Sequence, residues 1–308
     1  MIPSFPRFTP VTLDHKEDYE RLVAEYPPIS DISFATLNIW WNLEGKLELA
    51  ELNGNLVINY HLPFDQENSG LSLIGKTQVD ESIQALFRYC EQKGEAAKLV
   101  HVPDFVIAQI QDKDQFEITE EPDYNEYILD SKSLASLEDA IHGRTRRKVK
   151  RFLREVEERD VELRELDLSY EEAREDVFRA IVAWEKGRPG NDPGNTEHDA
   201  LRSTLKHAEH LGIRPLGLYI DGKLYAVVLY HKTHDSKYYI MHHLKVDYSL
   251  PYIFDYMVHR VANKATDESV QFLNMEMDLG IASLRQHKMG LRPVDFFRKY
   301  TVRPAGQS

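Results

Sequence analysis

Apolar and polar residues alternate along LELAELNGNLVINYHL (47–62), centred on Asn53-Gly54, and again along PLGLYIDGKLYAVVLYH (215–231), centred on Asp221-Gly222. A period of two places successive side chains on opposite faces, and Asn-Gly or Asp-Gly supplies the positive φ that both central positions of a type I′ turn need. Each stretch is therefore predicted to be a β-hairpin. The first is followed by an apolar strand (LSLIG), a helix (DESIQALFRYCEQKG), a strand (KLVHV), a short helix (PDFVIAQI) and a strand (FEITE). The second is followed by KYYIMHHL, the helix PYIFDYMVHRVANKA, the strand VQFLNME, the helix IASLRQHKMG and the strand VDFFRKYTV. Helical spacing precedes both hairpins, in DHKEDYERLVAEY and in SYEEAREDVFRAIVAWEK, where Ser169 and Glu172 form a capping box. The repeated element order implies one α/β unit built twice. The join falls at EEPDYNEYILDSKS, giving modules at 1–122 and 123–308, with NEYILD opening the second. Phe34, Leu37 and the pair Trp40-Trp41 read as helix core.

An extra helix, GRTRRKVKRFLREVEERD, lies between that opening strand and the second hairpin, with its basic part at 144–158. Val149, Phe152, Leu153 and Val156 have the spacing of one buried face. Around them stand Arg144, Arg146, Arg147, Lys148, Lys150, Arg151 and Arg154, with no acid before Glu155. Such a run is either a solvated face or a polyanion contact. Cations at a helix N-terminus oppose its dipole, which argues for a ligand.

The chain of 308 residues carries a formal charge of −13, so a face that coats DNA is not expected and the basic helix is a local exception. No stretch approaches the roughly 18 apolar residues of a membrane span, and no signal peptide is visible. The single cysteine, Cys90, sits in a helical pattern and reads as a buried thiol of a reducing, cytoplasmic compartment. The histidines show no metal-ligand spacing, and consecutive His242 and His243 must face opposite ways. P-loop, GxGxxG and GxSxG signatures are absent from the sequence.

Candidate chemistry gathers near the end. If VQFLNMEMD is a strand, Asn274, Glu276 and Asp278 share one face. Gly280 then turns the chain into a helix bearing Arg285 and Lys288, three apart and so adjacent. Carboxylates at a strand end beside two bases form either an ion-pair network or a site in which a carboxylate takes a proton from an attacking amine. The Gly- and Pro-rich segment EKGRPGNDPGNTEHD (185–199) reads either as a binding loop with Arg188 as its anion contact or as a surface loop with nothing bound.

The segments SDISFATLNIWW, EYILDSKSLASLEDAIHGRTRRKVKRFLRE and NMEMDLGIASLRQHKMGLRPVDFFRKY resemble the DUF2156 family, related to the C-terminal domain of phosphatidylglycerol lysyltransferases. That resemblance implies two tandem GNAT-like modules, each a mixed, mostly antiparallel sheet flanked by helices, as in the Fem-type aminoacyl transferases. It further implies acyl or aminoacyl transfer to an amine or hydroxyl, with the donor where KYYIMHHL and VQFLNME splay. The second module would be active and the first degenerate or structural. The GNAT phosphate loop, Arg/Gln-x-x-Gly-x-Gly/Ala, corresponds to Lys245-Val-Asp-Tyr-Ser-Leu250, where Tyr248 and Leu250 replace glycines and Asp247 adds negative charge. Of the two candidate donors, acyl-CoA and aminoacyl-tRNA, this favours the tRNA.

The expected roles are therefore Glu276 or Asp278 as proton acceptor and Asn274 as its orienting partner. Arg285, Lys288 and Arg188 would hold an anionic group, with Arg144, Arg147, Lys148 and Arg151 as the outer polyanion contact. A non-catalytic protein that binds RNA or a phosphorylated small molecule through the same helix is the alternative.

Overall fold

A computed structural model of the chain describes residues 1–42, 47–61, 69–186 and 194–306. Two units emerge. The first comprises 1–126, 277–281 and 297–308, the second 127–276 and 282–296.

The first unit's sheet runs β1 (Thr9–Pro10), β2 (Glu48–Leu52), β3 (Asn55–Tyr60), β4 (Gly70–Ile74), β5 (Leu99–Pro103), β14 (Lys299–Pro304) and β6 (Phe116–Glu120). The second sheet runs β13 (Asp295–Phe297), β7 (Glu126–Asp130), β12 (Phe272–Asn274), β11 (Tyr238–Val246), β10 (Lys223–Lys232), β9 (Ile213–Ile220) and β8 (Val161–Glu165). Both sheets share one order of pairings. The hairpin (β2/β3 or β9/β10) and the next pair are antiparallel, the following pair (β4/β5 or β11/β12) is parallel, and the next (β5/β14 or β12/β7) is antiparallel. This is the mixed, helix-flanked architecture expected from the sequence. Both turns have the expected backbone, with φ of 54° and 77° at Asn53-Gly54 and 51° and 75° at Asp221-Gly222.

Each sheet is covered by apolar helix faces. In the first unit Ile83, Leu86, Phe87 and Cys90, from the helix Val79–Lys93, pack on Val57, Leu71, Leu73 and Val102. Burial pushes the Cys90 thiol up, which keeps it protonated. Phe34, Leu37 and Trp41 are buried as expected, and Trp41 meets Tyr60 edge-on at 5.6 Å. In the second unit Met257, Val258, Val261 and Ala262, from the helix Ile253–Asp267, pack with Leu218, Val228, Tyr239 and Met241.

Several expectations are corrected. The stretch VDFFRKYTV is not one strand: β13 ends at Phe297 beside β7, and β14 joins the first sheet between β5 and β6. The basic helix spans Asp139–Glu155, not 144–158, with a kink where His142 departs from helical geometry (φ −107°). Leu153 is 45% exposed, and Thr145 joins Val149, Phe152 and Val156 on the buried face. The Ser169 hydroxyl donates to Asp167 (2.6 Å) instead of capping, and the helix begins at Glu171. Part of the predicted loop 185–199 is helical, since a helix runs Gly194–Lys206.

One fully buried cation explains why β14 belongs where it does. Lys299 is 0% exposed, and its Nζ pairs with Asp31 and, at 2.8 Å, with Glu126 Oε1. Glu126 Oε2 in turn accepts from Ser30 N (2.8 Å), and Asn125 Oδ1 accepts from Lys299 N (3.1 Å). Burial alone would push the ammonium down; the two carboxylates more than reverse this, so Lys299 stays charged. Lys299→Met strands two buried carboxylates and is expected to cost about 3–5 kcal/mol. Urea unfolding measures it. Adding Asp31→Asn should recover part of the loss, and a single variant as stable as the parent would remove this role.

Candidate active site

The second unit's parallel strands part. β11 and β12 pair at Tyr238/Phe272, Tyr239/Leu273 and Ile240/Asn274; β12 then stops while β11 continues to Val246. The chain beyond Asn274 keeps company with β7 instead. Met275 N donates to Tyr127 O (2.9 Å), and Tyr127 N donates to Glu276 O (3.3 Å). Lys288, on the helix Ala282–Gly290, donates its ammonium to the carbonyls of Met275 (2.7 Å) and Glu276 (3.2 Å).

This corrects the proposed row of three. Past Asn274 the backbone is not extended, and Glu276 has φ of 57°, a left-handed conformation that side chains adopt at a cost of order 1–3 kcal/mol. Asn274, Glu276 and Asp278 therefore do not share a strand face. Asn274 is fully buried, and its Oδ1 accepts from Glu276 N (2.8 Å), which holds the strained turn. Asp278 belongs to the segment 277–281 of the first unit, and its Oδ1 accepts from Gly280 N (2.9 Å). Lys288 is buried, and its ammonium is engaged with these main-chain carbonyls. Arg285 is half-buried on the same helix. Arg188 lies outside the described residues.

Sequence reading passed over the partner that Glu276 receives. Its Oε1 lies 2.9 Å from His242 Nδ1, and His242 Nε2 lies 2.7 Å from His231 Nδ1. The two imidazoles are nearly coplanar, 10° apart with centroids at 4.9 Å, the spacing of an in-plane hydrogen bond. His242 sits at a bulge, where the β10–β11 register shifts between Leu229, opposite His243, and Tyr230, opposite Met241. A bulge re-aims a side chain, and only the paired strands reveal it. Glu276 is 9% exposed and His242 is buried, while His231 is half-buried and nearer solvent. Burial pushes the His242 imidazole down to about 3, and it is therefore neutral. A neutral imidazole carries one N–H, which can face either Glu276 or His231. The chain of three groups can thus pass a proton without charging its buried member.

The basic helix is tied to the first turn of Ile253–Asp267. Lys148 pairs with Asp255 at 2.7 Å, and Arg151 donates to the Tyr252 hydroxyl at 3.0 Å. Arg144, Arg147 and Arg151 are exposed. The loop that corresponds to a phosphate cradle is turned on itself: Ser249 N donates to Asp247 Oδ1 (2.9 Å), Leu250 N to Asp247 O (3.3 Å), and Asp247 N to Tyr225 O (2.8 Å). Lys245 is bound to Glu185 (2.7 Å) and Glu197. Among the described residues no cluster of His, Cys, Asp and Glu could hold a metal ion, and no helix is long and apolar enough to cross a membrane.

Two mixed sheets with one order of pairings, each flanked by helices, define the class of this chain as a mixed α/β fold. Residues 29–303 match the family described as phosphatidylglycerol lysyltransferase, C-terminal, and the chain belongs to that family. Among solved structures, a conserved protein of unknown function from Bacteroides thetaiotaomicron matches with a TM-score of 0.80 at 21% identity, over 99% of this chain and 100% of that one. L-PGS from Bacillus licheniformis matches with a TM-score of 0.63 at 16% identity (100% and 95% covered), and FemX with 0.57 at 11% (98% and 98%). No curated protein matches the chain.

The His242 environment fixes a pH dependence. The unfolded chain protonates this residue near its ordinary 6.5, the folded chain only near 3. Stability is therefore complete above the unfolded value and falls as the pH drops through the interval between them. His242→Gln is expected to lose less melting temperature than the parent between about pH 7 and about pH 5. Parallel melting curves for the two would refute the buried neutral imidazole.

Proposed function

We propose that the chain is an aminoacyltransferase whose reaction is carried by the second unit. One observation bears most of the weight: the Glu276 carboxylate stands where β11 and β12 separate, joined to His242 and His231. The donor is an aminoacyl ester of tRNA and the acceptor an amine or hydroxyl; the family's description as a lysyltransferase supports aminoacyl transfer. The acceptor's nitrogen or oxygen attacks the ester carbonyl, its proton passes to Glu276, and the relay carries that proton to His231. The C–O bond to the ribose breaks, the released ribose oxygen takes up a proton from water, and His231 returns its proton to solvent. Asn274 positions Glu276 through its backbone, and Arg285 faces the anionic part of a substrate. The inward-turned loop at Asp247–Leu250 supports tRNA over acyl-CoA, since its amides are already engaged. Arg147 and Arg151 supply the outer contact to the phosphate backbone, and the reaction runs in the cytoplasm, where such a donor is found.

The deep burial of Glu276 also suits the second reading, a non-catalytic fold that binds RNA through the basic helix. Transfer assays separate the two. Glu276→Gln is expected to lower kcat by about 10²-fold or more with KM little changed. Undiminished turnover, or equal losses in kcat and affinity, would remove Glu276 from the chemistry. For the contact surface, Arg147→Ser together with Arg151→Ser should reduce the salt dependence of tRNA binding by roughly one unit of slope per lost phosphate contact. An unchanged slope would put the RNA elsewhere.

A further inference from the structure

Beside the basic helix the second unit holds a cavity of about 160 Å³, more than ten times the ~10–15 Å³ that a single water requires. Its lining includes residues to which the proposed transfer step assigns no role. Arg144 and Lys148, one turn apart, come from the basic helix, and Asp255 comes from the first turn of Ile253–Asp267. Ser283, Gln286 and His287 come from the helix Ala282–Gly290. Three elements thus converge on one space with a guanidinium, an ammonium, a hydroxyl, an amide and an imidazole.

We infer that this cavity is a binding site for a phosphoryl group carried by a substrate of this protein. The charge balance favours an anion, because Lys148 is matched by Asp255 (2.7 Å), whereas Arg144 has no ion-pair partner among the described residues. One uncompensated guanidinium held at a cavity in so acidic a chain is the feature that a ligand would explain. The cavity also lies at the N-terminal turn of a 15-residue helix, the end that attracts negative charge. His287 adds an independent sign. Its Nε2 is buried without a hydrogen-bond partner, and its ring is braced edge-on by Phe254 at 4.4 Å. Burial holds that imidazole below its ordinary value, opposed by Asp255 and reinforced by Lys148, Lys288 and Arg144. A buried nitrogen with nothing to bond is expensive unless a ligand completes it.

The spread of the donors over three helices favours phosphoryl over carboxylate. A tetrahedral group accepts from several sides at once, as three converging helices require, while a planar carboxylate presents mainly one edge to a single guanidinium. Asp255 lines the same space as a competing anion, and Lys148 is paired with it. As an assignment of substrate chemistry this rests on the transferase reading; phosphate binding itself does not.

Inorganic phosphate titrated into the full chain, followed by calorimetry and by the His287 ring-proton shifts, tests the site. Saturable binding is expected, weakened about tenfold or more by Arg144→Gln. Ser283→Ala should weaken it as well, and Asp255→Asn should tighten it by freeing Lys148. Acetate at equal ionic strength should bind at least about tenfold more weakly than phosphate. Absence of saturation, equal affinity for acetate, or an unaltered dissociation constant in Arg144→Gln would each overturn the assignment. Adenosine monophosphate and glycerol 3-phosphate separate the sources: the first binding more tightly supports the site as a nucleotide phosphate pocket, the second as a lipid-headgroup pocket. Phosphate binding with no transfer from any aminoacyl donor would sink the transferase reading and leave the pocket standing. Transfer with no phosphate binding would do the reverse.

Discussion

A buried ammonium shapes the candidate site of the second unit. By donating to the carbonyls of Met275 and Glu276, Lys288 holds the backbone away from β11 and against β7. Without that clamp the segment after Asn274 could continue beside β11, close the gap and lose the left-handed turn at Glu276. The strain of that turn is offset locally by the Asn274 side chain, which satisfies the Glu276 amide. The parting of the strands, the orientation of the carboxylate and its approach to His242 are consequences of one arrangement.

The first unit uses the same device. Lys299 is buried between Asp31 and Glu126, and its strand is thereby fixed beside β5 and β6. In both units a lysine that sequence would place on the surface is instead buried to organise main chain or carboxylates. Removing either partner of such a buried arrangement leaves the other stranded, which is what makes its loss costly. The acidic balance of the chain is therefore not a guide to its interior.

The candidate site was legible in the sequence only in part. Glu276 stood out as an acid near a turn and a basic helix, and Asn274 as its neighbour. Their supposed common face rested on a strand that ends at Asn274. His231 and His242 were invisible as a pair, since their alignment depends on a register shift between two strands. Lys288 looked like an anion contact because its spacing from Arg285 is helical, yet spacing cannot say which carbonyls lie within its reach. Asp255, hidden in an apolar helix pattern, matters only because Lys148 is folded against it.

What the sequence determined by itself is local. Asn53-Gly54 and Asp221-Gly222 specify their turns because positive φ is a property of those few residues, and helix faces follow from apolar spacing within one segment. Tertiary structure decided everything that depends on competition between distant partners. It set the end of β12, the division of residues 294–302 between two sheets, and the aim of His242 at its bulge. Backbone amides and buried charges take the partner that the whole fold brings within reach, and no single stretch of chain contains that choice.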